Sequence, residues 1–211
     1  MKIERREFGT RDAQIQHSKA DGEMPTIRGR VTPFNSVTPK PIHGVFFERV
    51  APGAFKRALK DDDTDCSAVI NHADEGLPLA RFAAGEGSLS LRESEDGLYF
   101  EFVPPDTEAG RAAVKAIERK DIRGMSFAFR ARKESWNDKG HNGMPLRTLE
   151  DVDIFDISLL TKTPAYGGTS IKMRSDEMGE QEYRALAAQA QGTTQQQRAR
   201  KLRLLELTKT E

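Results

Sequence analysis

Hydrophobic and polar positions alternate in short runs through the first 160 residues, and only one run keeps a helical period for long. CSAVINH (66–72) places Cys66, Ala68, Ile70 and His72 on one face with period two, the signature of a half-buried strand. GSLSLRE (87–93) and GLYFEFVPP (97–105) read as two more strands about the turn Ser94–Gly97. IRGMSFAFRAR (122–132) is the cleanest strand: Met125, Phe127 and Phe129 face one way, Ser126, Ala128 and Arg130 the other. LRTLEDVDIFDISLL (146–160) is another long strand region, after a Gly/Asn/Asp-rich excursion over 134–145. TIRGRVTPFNSV (26–37) predicts a strand interrupted at Pro33, and Pro33, Pro39 and Pro41 make 33–44 a loop.

Two helices are predicted among these strands. TEAGRAAVKAIERK (107–120) repeats Ala109, Ala112, Ala113, Ala116 and Ile117 at helical spacing, with Asp106 or Thr107 as its cap. VFFERVAPGAFKRALK (45–60) reads as a short strand leading into a helix whose first turn holds Pro52. Strands with two interspersed helices predict an α+β domain on a bent antiparallel sheet or barrel. There is no GxGxxG and no P-loop, which argues against a nucleotide-binding fold.

The flanks read differently. Residues 1–25 are polar and patternless and predict a flexible arm. After Ser175 the chain holds six glutamines and ends in RARKLRLLELTKTE, which predicts a polar tail over 175–211: a disordered linker and a short helix at 198–207. The folded domain is then 26–174.

Composition narrows the function classes. Hydrophobic residues are 36% and charged residues 31% of the 211, so the core is confined to part of the chain. Lys+Arg and Asp+Glu are both 33, a balance that argues against a nucleic-acid or anionic-membrane partner. No stretch approaches a membrane span, the charged start MKIERREFGT lacks a signal-peptide core, and Cys66 has no second cysteine for a disulfide.

Few side chains can carry chemistry. His17 falls in the arm, His141 in the Gly/Asn excursion and His43 in a proline-rich loop. His72 ends an apolar strand and precedes ADEGLPLAR. Ser126 lies mid-strand without a GxSxG elbow. Asp156 stands in DIFDISLL between Phe155 and Ile157, where a buried carboxylate needs a partner; Asp151 and Asp153 alternate with it. Each residue has a structural explanation: a satisfied histidine, a packing serine, an ion-paired aspartate. Together they are the residue types of a nucleophile, base and orienter. A metal hydrolase using His72, Asp74 and Glu75 ranks lower, since HExxH spacing is absent.

In order, FERVAPGAF (47–55), AVINHADEGLPLAR (68–81), GLYFEF (97–102), TEAGRAAVKAIERKDIRGMSFAF (107–129) and DIFDISLLTKTPAYGGTSI (153–171) resemble the prohead serine protease family of tailed phages, related in fold to the herpesvirus maturation protease assemblin. The resemblance covers about residues 26–174. It implies an assemblin-like antiparallel barrel with flanking helices, with His72 as general base, Ser126 as nucleophile and Asp156 as the third member. Many relatives have Asp directly after the histidine; here Ala73 stands there and Asp74 follows, which makes Asp74 a rival orienter. The loop TKTPAYGG (161–168) corresponds to the one that serves the oxyanion; Pro164 cannot donate there, which leaves neighbouring amides, a water or Lys162.

The resemblance implies an endopeptidase without cofactor or metal, acting in the host cytoplasm inside the immature procapsid. Its substrates and docking partners would be the scaffold and major capsid protein, and it would process itself, with RALAAQAQG and QQQRARK as candidate sites. A homodimer follows from assemblin by analogy. The reading from another class is a non-catalytic capsid-assembly scaffold protein that kept the protease fold.

Overall fold

The computed structural model describes residues 3–8, 14–16, 23–73, 77–83, 86–122 and 124–161. Along these run β1 (Glu4–Phe8), β2 (Gln14–Gln16), β3 (Thr26–Pro33), β4 (Phe47–Val50), β5 (Asp65–Ile70), β6 (Ala80–Ala83), β7 (Glu86–Gly87), β8 (Leu89–Glu93), β9 (Gly97–Phe102), α1 (Glu108–Glu118), β10 (Gly124–His141) and β11 (Met144–Leu160). The predicted tail, His17, Asp74, Glu75, Lys162 and Pro164 lie outside the described residues. No helix among the described residues is long and apolar enough to cross a membrane.

The strands form two sheets. One has the order β1-β10-β11-β5-β6-β7, with β4 also paired to β11; the other is β2-β3-β9-β8. The α+β class stands, but the described strands close no single barrel and are not all antiparallel. β5 and β11 run parallel, from Asp156 opposite Ser67 to Leu159 opposite Ile70. A parallel pair needs a long crossover, and the chain between β5 and β11 supplies one: β6–β9, α1 and β10.

The N-terminal arm, expected to be loose, contributes two strands. β1 pairs antiparallel with β10, Glu7 opposite Ser126, and β2 pairs with β3, Ile15 opposite Ile27. The charges of ERREF hid β1. Arg6 is buried, with its guanidinium over the Phe129 ring at 5.3 Å and bonded to Glu4 at 2.5 Å, so its aliphatic stem packs while its head stays paired.

The helix expected to follow β4 reduces to a single 3-10 turn at Ala58–Lys60. Gly53 is left-handed (φ 88°), and the backbone groups that a helix would use bond elsewhere. Phe55 N–H donates to the Glu93 carboxylate (2.8 Å), and Val152 N–H donates to Ala54 C=O (3.0 Å). The segment buries Ala54, Phe55 and Ala58 against strands instead.

α1 begins where its cap predicts: the Thr107 hydroxyl accepts from Gly110 N–H. The expected excursion over 134–145 is mostly strand. β10 runs through it to His141 and turns into β11 over Asn142 and Gly143, both with positive φ (50° and 76°), a two-residue hairpin turn of the type I′ pattern.

Described residues fall into two compact units. The larger holds residues up to Ser36, Val50–Lys133 and those from Leu149 on. Its core centres on Phe55, Phe127 and Phe129, with Phe55 edge-on to Phe127 at 5.7 Å and Phe127 tilted on Phe129 at 5.1 Å. The smaller takes Val37–Arg49 and Glu134–Thr148. There Arg147 is buried between Glu48, at 3.0 Å, and Glu134, with Trp136 edge-on to Phe46. His141 packs edge-on against Phe47 at 4.5 Å.

Candidate active site

The larger unit brings three of the sequence-selected side chains together. β5 delivers His72 by a turn immediately past its last residue, Ile70. Asn71 and His72 are both left-handed (φ 51° and 53°), and Ala73 N–H closes the turn on Ile70 C=O at 3.0 Å. This is the type I′ pattern, in which Asn is at home and His is tolerated. For a non-glycine residue the conformation costs about 1–2 kcal/mol, so surrounding contacts must hold it.

Those contacts come from β11 and the residue after it. Asn71 N–H donates to Leu159 C=O (3.0 Å), His72 N–H donates to the Ser158 hydroxyl (2.7 Å), and the Asn71 carboxamide exchanges bonds with Thr161, accepting from its N–H at 3.0 Å and donating to its hydroxyl at 2.8 Å.

Ser126 stands in β10 between Met125 and Phe127, which face the core, so period-two alternation turns its hydroxyl to the other face. Asp156 stands in β11 opposite Ser67, and Ile157 beside it is buried. The parity of buried residues along β11 changes from Val152 and Ile154 to Ile157 and Leu159, which puts Asp156 and Ser158 together on the side away from the core.

The three groups form a chain of hydrogen bonds. His72 Nε2 lies 2.6 Å from Ser126 Oγ, and His72 Nδ1 lies 2.8 Å from Asp156 Oδ1. An ionised carboxylate only accepts, so Nδ1 carries the proton and Nε2 is left to accept the serine hydroxyl. Ser126 is fully buried, while the His72 and Asp156 side chains are 12% and 14% exposed. The arrangement can lower the cost of deprotonating a hydroxyl and hold the imidazolium that results.

Of the rival acids, Asp151 and Asp153 are engaged elsewhere. Asp153 bonds Arg57 and Arg132, each at 2.6 Å. Burial alone would push its carboxyl up, but the bonds from the two guanidiniums outweigh that and hold it below the usual carboxylate range. Asp151 is gripped by Arg57 at 3.0 Å. His43 sits in a left-handed turn of the smaller unit. Cys66 is no candidate nucleophile: burial first, then the charges of Asp156 and Asp65, push its thiol far up. Of the loop 161–168 only Thr161 is described.

Sequence reasoning passed over Asn71, Ser158 and Thr161. The signal was present: a residue two positions after Asp156 on a strand shares its face, and Asn before His at a strand end is a left-handed turn pair.

Comparison with known proteins bears out the family resemblance. The model of the caudovirus prohead serine protease family matches residues 11–184. The prohead protease of Enterobacteria phage HK97 is 27% identical over 117 residues, 55% of this chain and 47% of that protein, so the match spans about half of the relative's length. The structure of the capsid assembly protease of bacteriophage T4 superposes with a TM-score of 0.48 at 13% identity, over 75% of this chain and 96% of that one.

Proposed function

Because the chain belongs to the caudovirus prohead serine protease family, we propose that it is a capsid-maturation endopeptidase working through Ser126, His72 and Asp156. The Ser126 hydroxyl attacks the scissile carbonyl carbon as His72 Nε2 takes its proton. Asp156 keeps Nδ1 protonated and stabilises the imidazolium. The imidazolium returns that proton to the leaving amine, breaking the C–N bond. A water activated by the same nitrogen then hydrolyses the acyl-enzyme.

The observation that carries this reading is the unbroken sequence Ser126 Oγ to His72 Nε2 (2.6 Å), His72 Nδ1 to Asp156 Oδ1 (2.8 Å), within the range for catalytic hydrogen bonds. The family and the HK97 relative are named for the prohead, which supports the scaffold, the scaffold-like N-terminal region of the major capsid protein and the chain itself as substrates, inside the immature procapsid.

Co-expression with the major capsid protein of the same genome tests it. Wild type shortens the capsid protein, and Ser126→Ala leaves it full length. A full-length capsid band beside folded wild type rejects the protease reading and favours an assembly role without cleavage.

A further inference from the structure

Asp156 and Ser158 lie two residues apart on one strand and touch the same histidine at two places. Asp156 bonds the His72 ring at Nδ1 (2.8 Å), and Ser158 bonds its main-chain N–H (2.7 Å). Ser158 is fully buried and flanked by the buried Ile157, Leu159 and Leu160. A hydroxyl in such a run needs a partner, and it has one in a peptide N–H rather than in another side chain. His72 is also the residue whose backbone is left-handed (φ 53°). Asn71, equally left-handed, is tied on its other side to Thr161, the next residue but two along the same strand path.

We propose that Ser158 is a positioning residue for His72: its hydroxyl holds the histidine main chain in the left-handed turn while Asp156 holds the ring, so that one strand fixes Nε2 against Ser126. This rests on the catalytic reading above. A bond at Nδ1 alone lets the ring pivot as the backbone beneath it shifts; anchoring the main chain as well removes that movement. A displacement of about 1 Å at a reacting group costs about a hundredfold in rate, so the second anchor matters to the chemistry and not only to the fold.

The test uses the full chain and needs no known substrate. Two quantities are read: the rate at which a fluorophosphonate labels Ser126, and the NMR signal of the proton on His72 Nδ1, which the Asp156 bond shelters from exchange. Ser158→Ala is expected to slow labelling by about tenfold to a hundredfold and to lose the sheltered proton, with circular dichroism unchanged. Ser158→Thr keeps the acceptor and is expected to restore both to within a few-fold. Ser158→Ala labelling at the wild-type rate with its ring proton intact overturns the proposal. So does Ser158→Thr as slow as alanine, because then volume and not the hydroxyl matters. If the alanine variant fails to fold, Ser158→Cys keeps the volume with a weak acceptor; slow labelling supports the proposal and wild-type labelling overturns it. Absent labelling in folded wild type counts against the protease reading instead, and the sheltered proton then decides the anchoring by itself.

Discussion

Asp156 reaches His72 at 2.8 Å because β11 and β5 run side by side in the same direction, with Asp156 opposite Ser67 and His72 two residues past the end of β5. The acid sits lower on its strand than the imidazole on its own, and the turn at Asn71–His72 folds the ring back over that step. β11 runs alongside β5 to its last residue, so one strand grips both the ring and the backbone of the histidine.

Ser126→Ala removes one hydroxyl whose partner is the His72 ring. Peptide cleavage is expected to fall by at least about 10⁴-fold, while stability changes by no more than about 1 kcal/mol. Product mass spectrometry and a urea melt check the two halves. A destabilisation of several kcal/mol would mark the serine as a structural group.

Asp156→Asn tests tautomer control. When the carboxamide presents its N–H to Nδ1, that nitrogen must accept, and the ring proton sits on Nε2, facing Ser126. Turnover is expected to drop about 10³–10⁴-fold with the fold intact. Asp153→Asn is the contrasting variant: Asp153 belongs to the Arg57–Arg132 cluster, so cleavage should stay within a few-fold of wild type. Equal losses in both would remove Asp156 from its assigned role.

Asp153 also sets an acid limb of stability. Its carboxyl is held below the usual range, against the pull of burial, by Arg57 and Arg132. A depressed carboxylate stabilises the fold above its unfolded pKa of about 4, and that contribution is lost as pH falls through the lower folded value. Wild type should exceed Asp153→Asn by about 1 kcal/mol near pH 7, and the gap should narrow as pH falls below about 4. Denaturant melts across pH give the comparison; a gap that stays constant with pH would mean that the difference is packing, not charge.

How much was legible in the sequence follows from which physics set each element. Alternation in MSFAF and the cap at Thr107 are local, and β10 and α1 follow them closely. His72, Ser126 and Asp156 stood out as polar groups inside or ending apolar runs, and their convergence depended on pairings that no local pattern encodes. The parallel β5–β11 pair, the burial of Arg6 in a charged strand and the diversion of Ala54 and Phe55 into bonds with Val152 and Glu93 are all tertiary choices. The Asn142–Gly143 turn was the exception: a plain hairpin signal hidden by the loop-like composition around it.

β1 closes the open edge of β10, the strand that carries Ser126. Its five residues pair with Met125–Phe129, Glu7 opposite Ser126, and the Arg6 guanidinium covers Phe129. Without β1 the N–H and C=O groups on that side of β10 face solvent or another chain, and an exposed edge flanked by Phe127 and Phe129 is a template for association. Arg6→Ala, which keeps the ladder and loses the ring contact and the packed stem, should cost about 1–2 kcal/mol. Removing residues 1–8 should cost more and bring concentration-dependent light scattering on warming, with labelling of Ser126 lost in step with the folded fraction. If the shortened chain instead melts like wild type and labels faster, β1 is not a supporting strand but a cover over the nucleophile, and the edge argument fails.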